Sequence, residues 1–413
     1  MPNDPSAAVR RNTALLSGSL AMNSAMLQLA AAVASLALVR VLGIEGLLGL
    51  GPAIVLSSGA LAALPAGVLM DRAGRVPVLA AGFAAGACGC ALAALGSARS
   101  SALAVLVGLV LVGAASATGL LARTAAGDMY PPDRRARGIA LVLFGSVFGA
   151  ILGPAVFSPL LAGRELDGAT LSTLWLAAAG FILAGLAIVL AVRPDPKTIA
   201  RLLGHEVEQP EGGRRAAAAP LRALLRRPGV VPALVAAQAS FAVMVAVMTL
   251  TGAVVVGHHG HAASSVFPVI GAHVIGMFGL SVVVGDLVDR VGRTPALAGG
   301  LLLMAASTIS LLWITSVPAT AVALFGLGLG WNFSFVAATA VLSDASSADE
   351  RGKLLGFNDL LAGATGAGLA LLGGLALTAL GVAALAIAGA ALVAAPALWI
   401  LRSDPARAAR ATA

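Results

Sequence analysis

The chain has 413 residues, of which 59% are hydrophobic and only 11% charged, and it carries a net charge of +8. A soluble globular protein devotes roughly a quarter of its residues to Asp, Glu, Lys and Arg, so a water-soluble fold is excluded: it could not hide this much apolar surface. A transmembrane β-barrel is excluded as well. Its strands would be short and would alternate apolar with polar residues, whereas the runs here are long, continuous and rich in Leu, Ala, Gly and Val.

Crossing a bilayer takes about 20 mostly apolar residues in a helix, and twelve such runs follow one another along the chain. Arg10 and Arg11 precede the first, 13–39, which is too long for a signal core and reads as a retained first helix. It holds Asn23, Met26 and Gln28. The second, 46–70, runs into Gly67-Val-Leu-Met-Asp71-Arg72-Ala-Gly74-Arg75-Val76-Pro77. The third, 77–97, contains Cys88 and Cys90, the chain's two cysteines. Two apart on a helix, they point to nearly opposite sides and read as packing residues. Runs four and five, 101–123 and 138–162, flank a loop with Asp133-Arg134-Arg135-Ala-Arg137, and the fifth contains Gly149-Ala-Ile-Leu-Gly153-Pro154. After run six, 171–192, comes the longest polar stretch, 193–228. It reads as a charged cytoplasmic linker, with an amphipathic surface helix expected over 216–227, between a first half at 1–192 and a second at 229–413.

Run seven, 229–255, holds Gln238, Met244 and Met248, and is followed by the loop Gly257-His258-His259-Gly260-His261. Run eight, 266–288, carries His273 and leads into Gly285-Asp-Leu-Val-Asp289-Arg290-Val-Gly292-Arg293-Thr294-Pro295. Runs nine and ten are 296–315 and 318–342, the latter with Trp331 and Asn332. Asp349-Glu350-Arg351-Gly-Lys353 then precedes runs eleven, 355–379, and twelve, 382–401; Asn358 and Asp359 lie near the start of run eleven.

Of the 26 Lys and Arg residues, only Arg40, Arg99 and Arg164 fall in odd-numbered loops. Loops rich in Lys and Arg stay cytoplasmic, so both termini are expected inside, with an even number of spans. The positive charge is therefore a topology signal, and no nucleic-acid partner is implied. Arg greatly outnumbers Lys, a usage associated with GC-rich bacterial sources, and the expected location is a bacterial cytoplasmic (inner) membrane.

The stretches beginning at Gly67 and Gly285 both read G-x-x-x-D-R-x-G-R-x-P, each after an even-numbered span, and 133–137 is echoed at 349–353. Parallel repeats related by an axis normal to the membrane are one known transporter architecture. At these residues the chain resembles the major facilitator superfamily (MFS). The first copy matches that family's signature between helices two and three, with Val76 in place of its second basic residue. The resemblance implies an all-α membrane protein of twelve transmembrane helices in two pseudo-symmetric six-helix halves.

It also implies a conformational latch at Gly67, Asp71, Arg72, Gly74 and Arg75, repeated at Gly285, Asp289, Arg290, Gly292 and Arg293. Asp71 is expected near the start of helix eleven, around Gly356, where the helix N-terminal partial charge favours a carboxylate. Arg75 is expected to pair with Asp128. Gly67 and Gly74 are expected to allow close helix approach and a tight turn. Gly149, Gly153 and Pro154 look like the core of a signature associated with exporting antiporters, although Phe157 and Ser158 replace its trailing glycines; such spacing also lets helices pack closely. The family's helix-four arginine has no counterpart, its position falling at Leu109. The family's central cavity lies between helices one, four, seven and ten, which makes Asn23, Met26, Gln28, Gln238, Met244, Met248, Trp331, Asn332 and Asn358 substrate-cavity candidates.

Ionisable groups inside a membrane are functional hypotheses by default. Asp359 and His273 are the proton-coupling candidates, each weighed against a purely structural role. His258, His259 and His261 could bind a soft or borderline metal or gate by pH, or form a plain polar loop. No Walker-type, G-x-S-x-G or H-E-x-x-H motif occurs, so neither an enzyme nor a cofactor is expected. The leading expectation is secondary active transport of a small, neutral or weakly charged organic solute by alternating access, with proton-coupled export. Nutrient or metal-related uptake or efflux, and a non-transporting sensor, are the alternatives. The expected partners are the solute, protons and the lipid bilayer, and the chain is expected to work as a monomer.

Overall fold

The computed structural model describes residues 5–42, 50–161, 167–204, 219–252 and 266–402, with Arg164 and Val255. Hydrocarbon offers the backbone no hydrogen-bond partners, so each apolar run satisfies its own N–H and C=O groups as a helix. The first half comprises α1 (Pro5–Leu42), α2 (Leu50–Ala73), α3 (Arg75–Arg99), α4 (Ala102–Leu120), α5 (Ala122–Met129), α6 (Arg135–Leu161) and α7 (Gly168–Leu190). Two short helices follow, α8 (Pro196–Leu202) and α9 (Leu221–Leu225). The second half comprises α10 (Val230–Gly252), α11 (Val266–Val274), α12 (Ser281–Val291), α13 (Arg293–Ser310), α14 (Val317–Asp344) and α15 (Arg351–Arg402).

Three spans are interrupted. α4 and α5 form one span, Ala102–Met129. α11, a π-helical segment at Ile275–Gly279 and α12 form another, bent by 47°. α15 is two limbs joined at Gly381, whose φ of 75° is the left-handed conformation that glycine tolerates. Counted this way, the described residues give twelve rods. Eight are long and apolar enough to cross a membrane by length and composition, and the bent pair makes a ninth. Leu61, Leu103, Ile151, Leu176, Val283, Val322 and Ile387 point outward from the bundle, as a lipid-facing surface requires.

The halves meet along two helix pairs. In the first, α2 lies against the first limb of α15. A Cβ on Gly67 would stand 1.9 Å from the Gly352 carbonyl oxygen, and one on Gly356 would stand 2.5 Å from that of Ala63. In the second, α12 lies against α6, where a Cβ on Gly285 would stand 2.6 Å from the Ala140 methyl. Only glycine permits the first approach. Gly74 and Gly292, with φ of 96° and 98°, make the matching turns from α2 into α3 and from α12 into α13.

Of the surface helix expected over 216–227, residues 216–218 lie outside the described residues. Within 219–227 only Leu221–Leu225 is helical, because Pro220 and the turn before Gly229 confine it. The linker also holds α8: Asp195 caps it, accepting the Lys197 N–H at 2.9 Å, with Pro196 in its first turn.

Candidate functional site

Two ion networks and one buried charged pair join the halves at the end of the bundle that carries the N-terminus. In the first network, the Asp71 carboxylate at the end of α2 accepts the backbone N–H groups of Gly352 (2.8 Å) and Lys353 (2.7 Å). It thereby satisfies the open donors of the α15 N-terminus. This is one turn before Gly356, the expected position, because Gly356 is occupied by packing against Ala63. Arg75 donates to Asp71 (Nη1, 2.8 Å), to Asp128 (Nε, 2.7 Å) and to the Ala348 carbonyl (Nη2, 2.7 Å). Asp128 also pairs with Arg351. From the linker, Asp195 accepts the N–H groups of Arg75 and Val76, each at 2.8 Å. Lys197 reaches the Asp71 carbonyl and pairs with Asp349 at 2.5 Å.

The second network repeats the first in the other half. Asp289 accepts the N–H groups of Ala136 (3.2 Å) and Arg137 (2.8 Å) at the start of α6. Arg293 pairs with Asp289 and with Asp344 (3.2 Å), and Asp344 pairs with Arg135. Asp344 thus occupies the place of Asp128, and Arg135 that of Arg351. Arg72 and Arg290 are exposed, without partners among the described residues. Outside the spans, Glu350 is bound by Arg227 (2.7 and 3.0 Å) and by the Ser347 and Ala219 N–H groups. Burial alone would raise its pKa; these hydrogen bonds outweigh burial and hold the carboxyl at about 2.

The charged pair lies deeper. Arg123 on α5 is fully buried and donates from Nη2 to Asp359 Oδ1 on α15 at 2.6 Å. Its Nη1 donates to the Leu120 carbonyl (3.1 Å), and its guanidinium carbon stands 4.8 Å from the Phe335 ring centroid. Phe335 stacks on Trp331 at 4.6 Å, and Trp331 meets Phe278 edge-on at 5.7 Å. Behind Asp359, Asn358 Nδ2 donates to the same Oδ1 (3.2 Å), and Gln238 Nε2 donates to the Asn358 carbonyl and side-chain oxygens (3.1 Å each). Arg123 Nε, Asp359 Oδ2, Gln238 Oε1 and Trp331 Nε1 are buried with no hydrogen-bond partner among the described residues. Buried polar atoms without a partner are uncommon in folded proteins, so these four call for an explanation.

Arg123 had no place in the expected site. It ends the fourth apolar run, where a cation reads as a topology mark.

The other candidates separate. Gln238, Trp331 and Asn358 join the Arg123–Asp359 cluster. Asn332 instead binds Ser281 (3.2 Å), fixing α12 to α14. Asn23 is buried and donates to the Ser116 carbonyl (3.3 Å), with Oδ1 unpartnered. Met26 and Met244 are buried in the apolar core, Met248 packs against it, and Gln28 is exposed. His273 is buried, with Nδ1 donating to the Leu324 carbonyl (2.9 Å) and Nε2 unpartnered. Gly149 and Gly153 pack on α1: their Cβ positions lie 2.3 Å from the Ala21 carbonyl and 3.1 Å from the Gln28 Cβ. Pro154 lies within α6. His258, His259 and His261 lie outside the described residues, among which no cluster of metal-ligating side chains occurs.

Twelve rods in two related halves, joined by repeated charge networks around buried polar groups, define a helical membrane transporter. The family model described as Major Facilitator Superfamily matches residues 14–333 and 269–413. The chain belongs to that superfamily and is a transporter, not an enzyme. It is 32% identical over 387 residues to the uncharacterized MFS-type transporter YdeG of Bacillus subtilis, covering 91% of this chain and 87% of that one. It is 33% identical over 310 residues to the riboflavin transporter RfnT of Brucella anthropi, 73% of each chain. Among solved structures it is similar to the proton:xylose symporter XylE, with a TM-score of 0.76 at 14% identity, covering 97% and 96% of the two chains. A bacterial homologue of the iron transporter ferroportin, in an outward-facing state, gives 0.72 at 13% identity, covering 95% and 98%. These last two likenesses concern the fold.

Proposed function

We propose that the chain is a proton-coupled secondary transporter that exports a small organic solute across the cytoplasmic membrane, working as a monomer with both termini inside. Halves at 1–192 and 229–413, tethered by 193–228, rock about a central site. The observation that carries this reading is the buried Arg123–Asp359 pair, which ties α5 of one half to α15 of the other and leaves one carboxylate oxygen free. A proton on Asp359 removes the negative partner of a buried guanidinium, and breaking such a pair is strongly unfavourable for the arrangement that buries it. Protonation therefore loosens the halves at the closed end, and loss of the proton draws them together.

The two charge networks act as latches that hold this end shut. Asp71 and Asp289 each bind a helix N-terminus of the opposite half, so the contacts exist only when the halves are together. The Gly149–Gly153 packing of α6 on α1 supports export through its likeness to the exporting-antiporter pattern. Trp331 and Phe335, beside unpaired donors and acceptors, suit a planar solute with polar edges, and the relative named as a riboflavin transporter makes riboflavin a cargo to include.

The test is retention of a panel of dyes, antibiotics and riboflavin in cells stripped of their major efflux pumps. Wild type should lower retention of at least one compound, an uncoupler should abolish the effect, and Asp359→Asn should behave like the empty vector. Extrusion that persists in both conditions contradicts proton coupling through Asp359. Accumulation above the empty vector, still uncoupler-sensitive, reverses the direction to uptake.

A further inference from the structure

We propose that the crevice beside the first latch is a binding site for a phosphate-bearing anion, supplied by the headgroup of an anionic phospholipid. The crevice has a volume of about 950 Å³ and opens at the N-terminus-bearing end, between the α2–α3 turn, the end of α7, α8 and the start of α15. Five cations line it: Arg72, Arg193, Lys197, Arg201 and Lys353. Its three carboxylates are already committed. Asp71 is held by Arg75 and the N–H groups of Gly352 and Lys353, Asp195 by the N–H groups of Arg75 and Val76, and Asp349 by Lys197 and Arg201. Arg72 and Arg193, by contrast, have guanidinium groups without a partner among the described residues. Two free guanidiniums in a walled cleft match the forked, charge-assisted bonding of a phosphate.

The remaining wall identifies the source. Val68, Val76, Pro77 and Leu190 are apolar lining, and Leu190 and the neighbouring Leu69 are exposed on the surface that faces lipid. A headgroup can place its phosphate among the arginines while its acyl chains run up that surface, the arrangement expected of basic pockets at a membrane edge. Lys353 comes from the second half, the arginines from the first half and linker. The site is complete only when this end is closed, so its occupant favours the closed state.

The test uses the full chain in phosphatidylcholine nanodiscs with and without a minor fraction of phosphatidylglycerol, read by thermal unfolding. Phosphatidylglycerol should raise the wild-type midpoint by a few degrees, and an Arg72→Gln/Arg193→Gln double variant should lose that gain. Both residues are exposed and unpaired, so the variant's midpoint in pure phosphatidylcholine should match wild type. An Arg99→Gln/Arg164→Gln control, outside the crevice, should keep the gain. Equal midpoints for wild type with and without phosphatidylglycerol, or a gain retained by the Arg72/Arg193 variant, overturn the site. Inorganic phosphate added to pure phosphatidylcholine discs should have no effect; an equal gain from it overturns the lipid as the source.

Discussion

The two charge networks proposed as latches have the same parts and different surroundings. In each, an aspartate closes the N-terminus of a helix from the opposite half, an arginine four residues on reaches a second aspartate, and that aspartate holds a second arginine. In the first latch the Arg75 and Asp128 side chains are both 0% exposed. In the second, Arg293 is 17% and Asp344 31% exposed. The linker makes the difference. Asp195, Lys197 and α8 cover the first network, whereas among the described residues the short 3₁₀ turn Pro132–Arg134, through the Pro132 carbonyl, reaches Arg293. A sequence repeat therefore copies the chemistry but not the energy: a buried network stakes far more on each member than one open to water.

Removing the shared aspartate breaks the comparison most sharply. Asp128→Ala leaves Arg75 and Arg351 short of a counter-ion in a buried site, a loss of about 3–5 kcal/mol, and should lower the unfolding midpoint in detergent more than any other latch variant. The interhelical glycines come next. Gly67→Ala drives a methyl into the Gly352 carbonyl and should cost about 1–3 kcal/mol by overpacking. Gly285→Ala meets side-chain carbon at 2.6 Å first and should cost less in the same melting experiment. Asp344→Ala removes a carboxylate that water reaches but leaves the buried Arg135 without it, so it should cost less than Asp128→Ala and more than an exposed pair; a loss equal to that of Asp128→Ala would contradict the ranking.

A further effect concerns acid. Glu350 has its carboxyl held down from an ordinary 4.5 to about 2, so its contribution is present above the ordinary value and is lost as pH falls through the lower one. The midpoint difference between wild type and Glu350→Gln should therefore be constant above pH 4.5 and shrink on acidification toward 2. A difference that grows toward acid would reverse the sign of the argument.

The fold is almost wholly legible because membrane helices announce themselves by length and apolarity alone: the expected runs and observed spans differ at their ends by at most eight residues, at the start of α1. The contacts of the two charge networks are legible in part. Asp71, Arg75 and Asp128 followed from the repeat and its resemblance, and 133–137 and 349–353 were seen as an echo, but Asp344 carried no mark beyond standing near a span end. Asp195-Pro196 was a readable helix start inside what looked like a solvated tether. Arg123 could not be told from an interfacial cation, because its partner Asp359 lies on a helix of the other half and only tertiary packing brings them together. For the same reason Asn332, a cavity candidate by type, belongs to a helix contact with Ser281.

The proposed switch is a proton on Asp359 that governs opening at the closed end. The direct measurement is the distance between spin labels at Ala73→Cys and Arg290→Cys, one on each half, with Cys88 and Cys90 replaced by Ser. It is followed against pH in wild type and in Asp359→Asn. Acidification should lengthen the wild-type distance, and Asp359→Asn should show the long distance at every pH. A pH response in Asp359→Asn identical to wild type would contradict the account.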